Sequence, residues 1–209
     1  MGAAVPDVTL GNVDARSLQS GSVAVHPRLV VGETGAGAHE GNASVPSDRV
    51  KSACLAQLVN AISVIRSEPG GPAWRQTTFH PFALTARHAK GDVLEVALQS
   101  PTYETKQHGT VPVVDATATH DPVTGQVSLF AVNRSEADPV TLEVDLRALP
   151  ALDAADAFAL SDPDVSATNR QDHPDRVQPR SVAVHTDGSV QRLELPAVSW
   201  SCVRLSRRS

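Results

Sequence analysis

The sequence predicts an α+β chain in which one helix–strand–loop–helix repeat of an α/β barrel precedes an antiparallel β-sandwich. Two observations predict it. Before Gly91, apolar residues recur at helical spacing on both sides of a short β-branched run. From Val93 onward the period changes to two, and turn residues separate seven short segments. Three stretches result: 1–46, 47–91 and 92–209.

Residues 1–46 are rich in Gly, Ala, Ser and Val. Val23-Ala24-Val25 and Leu29-Val30-Val31 have the composition of short strands. Gly32-Glu33-Thr34-Gly35-Ala36-Gly37-Ala38 reads as a flexible linker. It lacks the GK[ST] ending and the following helix of a phosphate loop. The whole stretch is expected to be disordered or poorly packed.

Ser47 is suited to an N-cap, with Asp48 in the first turn. Val50, Ala53, Cys54 and Leu58 then keep helical spacing, which predicts a helix over about 48–59. Asn60 to Ile65 is short and β-branched, and reads as a buried strand. Gly70-Gly71-Pro72 stops regular structure. Thr77 to Lys90 reads as a second helix, with Pro81 tolerated in its first turn and Gly91 ending it.

Strands are then expected over 93–98, 113–120, 126–133, 140–146, 155–160, 190–194 and 199–205. Asp121-Pro122-Val123-Thr124-Gly125 is a tight turn between two of them. Ser161 to Arg180 is polar and broken by prolines, as expected of a surface excursion.

Composition narrows the function classes. The chain has 209 residues, 41% of them hydrophobic, and a net charge of -5. No basic stripe is present, which argues against nucleic acid as a partner. No apolar run approaches the ~20 residues of a membrane span. No basic n-region with an apolar h-region opens the chain, so a cytoplasmic location is expected. Cys54 and Cys202 read as small buried hydrophobes rather than a disulfide framework. The eight histidines show no HxH or HExxH spacing, so no metal site is expected.

The run Gly70-Gly71-Pro72-Ala73-Trp74-Arg75-Gln76-Thr77 carries the chemistry. A flat aromatic, a forked cation and an amide in sequence suit a polar ring such as a sugar. The same residues also suit a loop in which Trp74 packs on the core and Arg75 and Gln76 cap a helix. Glu68 stands where a barrel's active-site loop would begin, but it has no carboxylate neighbour in sequence and reads as a loop residue.

Ala53-Cys54-Leu55-Ala56-Gln57-Leu58-Val59-Asn60, the GGPAWRQT run and Phe79-His80-Pro81-Phe82 occur in that order. Ser100-Pro101-Thr102-Tyr103, Leu129-Phe130-Ala131-Val132-Asn133-Arg134, Asn169, Pro174-Asp175-Arg176-Val177, Leu195-Pro196 and Ser199-Trp200 follow. Over about 47–206 this series resembles the C-terminal region of α-L-arabinofuranosidases of glycoside hydrolase family 51. The resemblance implies that 47–91 is the remnant of the last repeat of a (β/α)8 barrel and that 92–209 is an accessory sandwich. It also implies a whole enzyme that releases terminal α-L-arabinofuranosyl units, with retention, from arabinan, arabinoxylan or oligosaccharides, using no metal or organic cofactor. Such arabinose-containing saccharides are the implied partners.

By the same resemblance Gln76 falls on the glutamine that hydrogen-bonds the arabinofuranosyl ring, with Trp74 and Arg75 as weaker substrate contacts. The family's two catalytic glutamates lie in Asn-Glu and Asp-Glu-Trp-like motifs, and this sequence has neither. No catalytic residue is therefore assigned. The chain is expected to be a C-terminal piece, inactive by itself. Apolar faces stripped of barrel neighbours would dock on the sandwich or drive homo-oligomer formation. The rival reading is a non-catalytic carbohydrate-binding or interaction sandwich, for which 3% aromatics is a poor endowment.

Overall fold

Alternation of apolar and polar residues puts one side of each strand toward a common core, and the strands predicted after Val93 form. The computed structural model describes residues 7–14, 55, 57–106, 108–149 and 152–207. Its elements are β1 (Asp7–Asp14), β2 (Ile65–Ser67), β3 (Ala73–Arg75), α1 (Phe79–His88), β4 (Asp92–Gln99), β5 (Thr102–Thr105), β6 (Gly109–Pro112) and β7 (Val114–His120). Then come β8 (Val127–Asn133), β9 (Val140–Asp145), β10 (Leu152–Leu160), β11 (Arg180–Ser181), β12 (Val184–Asp187), β13 (Val190–Leu195) and β14 (Ser199–Arg207).

Ten strands run in the hydrogen-bonded order β11-β10-β14-β8-β7-β4-β1-β9-β13-β12. Strand β4 is the corner. Its residues Asp92, Val93 and Leu94 pair with β7, whereas Glu95 and Ala97 to Gln99 pair with β1. The sheet thereby folds into two leaves, and β13 touches both β10 and β14 across the gap. Val127, Leu129, Val203 and Leu205 from one leaf meet Val140, Leu142, Val144, Leu193 and Leu195 from the other. Each such side chain contributes about 1.5–3 kcal/mol on burial, more than an exposed ion pair.

A second apolar cluster lies on the outside of the first leaf. Phe130, Leu160, Trp200 and Cys202 are covered there by Ala89, next to α1, and by Val177. Strands β8 and β14 are thus buried on both faces, which is why Leu129-Phe130-Ala131 reads as a continuous apolar run. The excursion forms no helix or strand over 161–179, and Arg180 at its end enters β11; it lies over this outer face, where Ala167 packs on the cluster.

Several expectations change. The predicted helix over 48–59 lies mostly outside the described residues, and residues 57–59 at its end are not helical. The expected buried strand Asn60 to Ile65 is a turn leading into β2. Asn60 and Ala61 have φ of 62° and 44°, which an extended strand cannot contain. The glycine run is the turn of a β2–β3 hairpin, not a strand-to-helix loop, because β2 finds its only described partner in β3. Helix α1 is two residues shorter at each end than expected, and Pro81 sits buried in its first turn.

Gly91 is required by close approach. Its φ is +75°, and a Cβ would stand 2.1 Å from the carbonyl oxygen of His120. The predicted turn at Asp121 forms: its carboxylate accepts from Val123 N–H at 2.9 Å and from the Thr124 hydroxyl at 2.9 Å.

The β5–β6 ribbon and the short strands β11 and β12 were not expected. Nor was β1. Asp7–Asp14 lies in the stretch expected to be disordered, yet it pairs antiparallel with β4 and parallel with β9. Composition of a segment says nothing of a partner so distant in sequence. The strand candidates Val23-Ala24-Val25 and Leu29-Val30-Val31, the Gly32–Ala38 linker and Cys54 lie outside the described residues. Cys202 is fully buried, as expected, and burial pushes its thiol pKa up to about 12.

Candidate functional site

Of the three sequence-predicted site residues, Trp74 and Arg75 lie on β3 and Gln76 directly follows it, before α1 begins. Glu68-Pro69-Gly70-Gly71-Pro72 makes the turn: the N–H of Gly71 donates to the Glu68 carbonyl at 2.9 Å, and Gly70 has φ +70°. Trp74 is opposite Arg66, and Arg75 is opposite Ile65. The N–H of Gln76 extends the ladder to the carbonyl of Val64 at 2.8 Å. Alternation therefore places Trp74 and Gln76 on one face of the ribbon and Arg75 on the other.

Gln76 is half-buried, and its side-chain amide donates to the carbonyl of Ser63. Ser63 itself is buried, with its hydroxyl donating to the Leu58 carbonyl at 2.6 Å. Asn60 ties the same loop to β2: its amide oxygen accepts from Ser67 N–H at 2.7 Å. Ser63 and Asn60 were missed as supports, since a serine and an asparagine beside a glycine-rich run read only as loop residues. Their partners are set by the hairpin.

Arg75 is exposed, and its guanidinium lies 5.2 Å from the centre of the Phe79 ring. Phe79 in turn meets His80 edge to face, with ring centres 5.7 Å apart. Burial lowers the pKa of His80, and the charge of Arg75 lowers it further, against a raising effect from Asp175. The imidazole is therefore held neutral at pH 7. Amide, indole, guanidinium and neutral imidazole can all hydrogen-bond or stack on a polyhydroxylated ring.

Acid–base chemistry is a different matter. Retaining glycoside hydrolysis needs a carboxylate and a second carboxyl whose pKa is raised. Glu68 is exposed at the hairpin turn. Among the described residues, the carboxyls with shifted pKa are Asp121, Asp145, Asp162 and Asp164, and all four are lowered. Asp162 accepts from the Asp164 N–H at 2.9 Å and Asp164 from the Ser166 hydroxyl at 2.6 Å, and both share the guanidinium of Arg176 at 3.3 and 2.9 Å, so both are held as anions. No group of three or more His, Cys, Asp or Glu among the described residues could hold a metal ion.

The other residues of the ordered series act as staples. The side-chain amide of Asn133 donates to the carbonyls of Asp138, Leu195 and Pro196. Arg134 reaches Asp115 at 3.0 Å and the Pro112 carbonyl at 3.2 Å. Asn169 both donates to the Val177 carbonyl at 2.9 Å and accepts from its N–H at 2.8 Å. Of the aromatics, Phe130 and Trp200 are buried together 6.0 Å apart, and Tyr103 is exposed on the β5–β6 ribbon.

Comparison with known proteins agrees along most of the chain. The family described as α-L-arabinofuranosidase C-terminal domain matches residues 41–199. An intracellular exo-α-(1→5)-L-arabinofuranosidase of Streptomyces lividans is 43% identical over 163 residues, 76% of this chain and 24% of its own length. An exo-α-(1→6)-L-arabinofuranosidase of Bifidobacterium longum is 44% identical over 163 residues, 76% of this chain and 31% of its own. The solved structure of a family 51 α-L-arabinofuranosidase from Bifidobacterium longum has a TM-score of 0.72 at 43% identity, covering 76% of this chain and 31% of that one. The chain thus spans about a quarter to a third of the length of these relatives. The likeness, with the two mainly antiparallel leaves described above, bears out the expected sandwich.

Proposed function

The chain belongs to the α-L-arabinofuranosidase C-terminal domain family, and from that membership we propose that it is the C-terminal portion of an enzyme acting on terminal α-L-arabinofuranosyl groups. Residues 47–91 are then what remains of a catalytic barrel's last repeat, and 92–209 the sandwich packed beside it. The observation that carries the reading is the family match over 41–199, which relatives with much longer chains share. Arabinan, arabinoxylan and arabino-oligosaccharides are the substrates of the whole enzyme in this reading. A cytoplasmic location fits the relatives described as intracellular, and no helix among the described residues is long and apolar enough to cross a membrane.

Gln76 is the substrate contact of this proposal, with Trp74 on the same face of the ribbon and Arg75, on the other face, as the weaker candidate. With its amide nitrogen on Ser63, Gln76 would offer its amide oxygen to a sugar hydroxyl. Hydrolysis needs a nucleophile and a proton donor, and general acid catalysis alone supplies ~10²–10⁴-fold. Among the described residues the carboxyls with shifted pKa are all lowered, which suits none of them to the proton-donor role.

An aryl α-L-arabinofuranoside assay tests the proposal. The expected result is no turnover by the purified chain. Turnover that disappears in Glu68→Gln would overturn the inactive-portion reading and move the active site to the hairpin turn.

A further inference from the structure

Strand β1 occupies an unusual place for a segment that begins at Asp7. It lies inside the ten-stranded order, between β4 and β9. Thr9, Leu10 and Gly11 stand opposite Gln99, Leu98 and Ala97, and Asp7 to Leu10 run beside Thr141 to Val144. Without it, β4 and β9 would each present an open edge of unpaired N–H and C=O groups.

Among the described residues, the partners of β1 are all distant in sequence. Its neighbours begin at Asp92 and Val140. Its pairing with β9 is the only parallel pair among the described strands, and parallel strands cannot be joined by a hairpin. The family match starts at residue 41, after β1 has ended. Residues 15–54 separate Asp14 from Leu55, the next described residue. Fully extended, that length of chain reaches about 130 Å, several times the size of the sandwich.

We propose that the slot between β4 and β9 accepts the Asp7–Asp14 strand of a second copy of this chain as readily as its own. The exchanged strand would make the same two ladders in the same register, so exchange costs no contact. The balance is then set by the effective concentration that the tether imposes, on the order of millimolar. At micromolar protein the strand closes on its own chain. Near millimolar concentration, or on refolding at high concentration, two chains trade strands.

Thr9 and Gln99 give the test. Directly opposed residues of antiparallel strands have Cα atoms about 4.5–5.5 Å apart, within disulfide reach, and Gln99 is exposed. In a Cys54→Ser background, with the buried Cys202 left in place, the double variant Thr9→Cys/Gln99→Cys should close an intrachain disulfide at low concentration. Separate Thr9→Cys and Gln99→Cys chains, carrying different tags, are then mixed, refolded and oxidised over a concentration series. Covalent heterodimer should rise steeply toward millimolar protein. The pair Thr9→Cys with Glu104→Cys, an exposed position on the β5–β6 ribbon, should yield at least tenfold less. Absence of the intrachain disulfide would overturn the register. An intrachain disulfide without heterodimer at any concentration, or equal yields from both pairs, would overturn exchange.

Discussion

Asn169 holds the surface excursion to itself with one side chain. Its amide makes both hydrogen bonds of a backbone bridge with Val177, and both residues are buried. Asn169→Ala leaves a buried N–H and a buried carbonyl without partners, at roughly 1–3 kcal/mol each. A loss of about 2–6 kcal/mol is expected in denaturant unfolding, together with stronger solvent quenching of Trp200, which Val177 helps to cover. Thr85 presents the reverse case. It is buried in α1, and its hydroxyl oxygen has no hydrogen-bond partner. Thr85→Val keeps the shape and removes the unpartnered group, so stability should hold or rise by about 1 kcal/mol; a loss of more than that would mean the hydroxyl is satisfied in solution. Gly91→Ala should be among the most damaging small changes, costing more than about 2 kcal/mol, because the new methyl meets the His120 carbonyl and Pro122.

Helix α1 is the element most exposed to acid. His80 and His88 are half-buried on it, and burial is the largest cause lowering both pKa values. Arg75 lowers His80 further; Arg204, Arg87 and Lys90 lower His88, against Asp156. A group whose folded pKa is depressed binds fewer protons folded than unfolded. For a histidine this means that stability falls as pH drops through the ordinary value of 6.5 and levels off below the folded value. The lowered carboxyls Asp145, Asp162 and Asp164 act later, as pH falls below their ordinary 3.8. Unfolding measured from pH 8 to 3 should show two descents, and His80→Gln with His88→Gln should remove the upper one. The β2–β3 hairpin is the other vulnerable element. It is a two-stranded ribbon outside the main sheet, and Leu58 and Ile62 beside it are 82% and 72% exposed. Hydrogen exchange at Ile65–Ser67 should be faster than in β8 and β9 by orders of magnitude. Equal protection would show the hairpin to be packed as firmly as the core.

For the molecule as a whole, stability resides in the two-sided burial of β8 and β14, while the proposed sugar contacts lie on the thin hairpin and just after it. One amide hydrogen bond contributes only about 0.5–1.5 kcal/mol net. Sugar binding needs several, plus a stacking surface. Free L-arabinose should therefore bind the chain no more tightly than the millimolar range, about -4 kcal/mol in total. Calorimetry or NMR shift mapping measures this directly. Micromolar binding centred on Trp74 to Gln76 would sink the C-terminal-portion reading and favour a free-standing sugar-binding domain.

Strand positions after Val93 were legible in the amino-acid order because period-two burial is a local property: Val127, Leu129 and Ala131 must share a face whatever their partners. The turn at Asp121 was legible for the same reason, since its carboxylate bonds residues two and three ahead. The ordered motifs also disclosed the family. What they could not disclose was which backbones would meet. Asn60 to Ile65 has the composition of a buried strand, but strand formation requires a neighbour, and the hairpin partner reaches only its last residue. Asp7–Asp14 is broken by Gly11-Asn12 and is nonetheless a strand, because β4 and β9 leave it a place with ladders on both sides. Side-chain period is decided within a segment; hydrogen-bond partnership is decided between segments far apart in the chain, and only the tertiary structure brings those together.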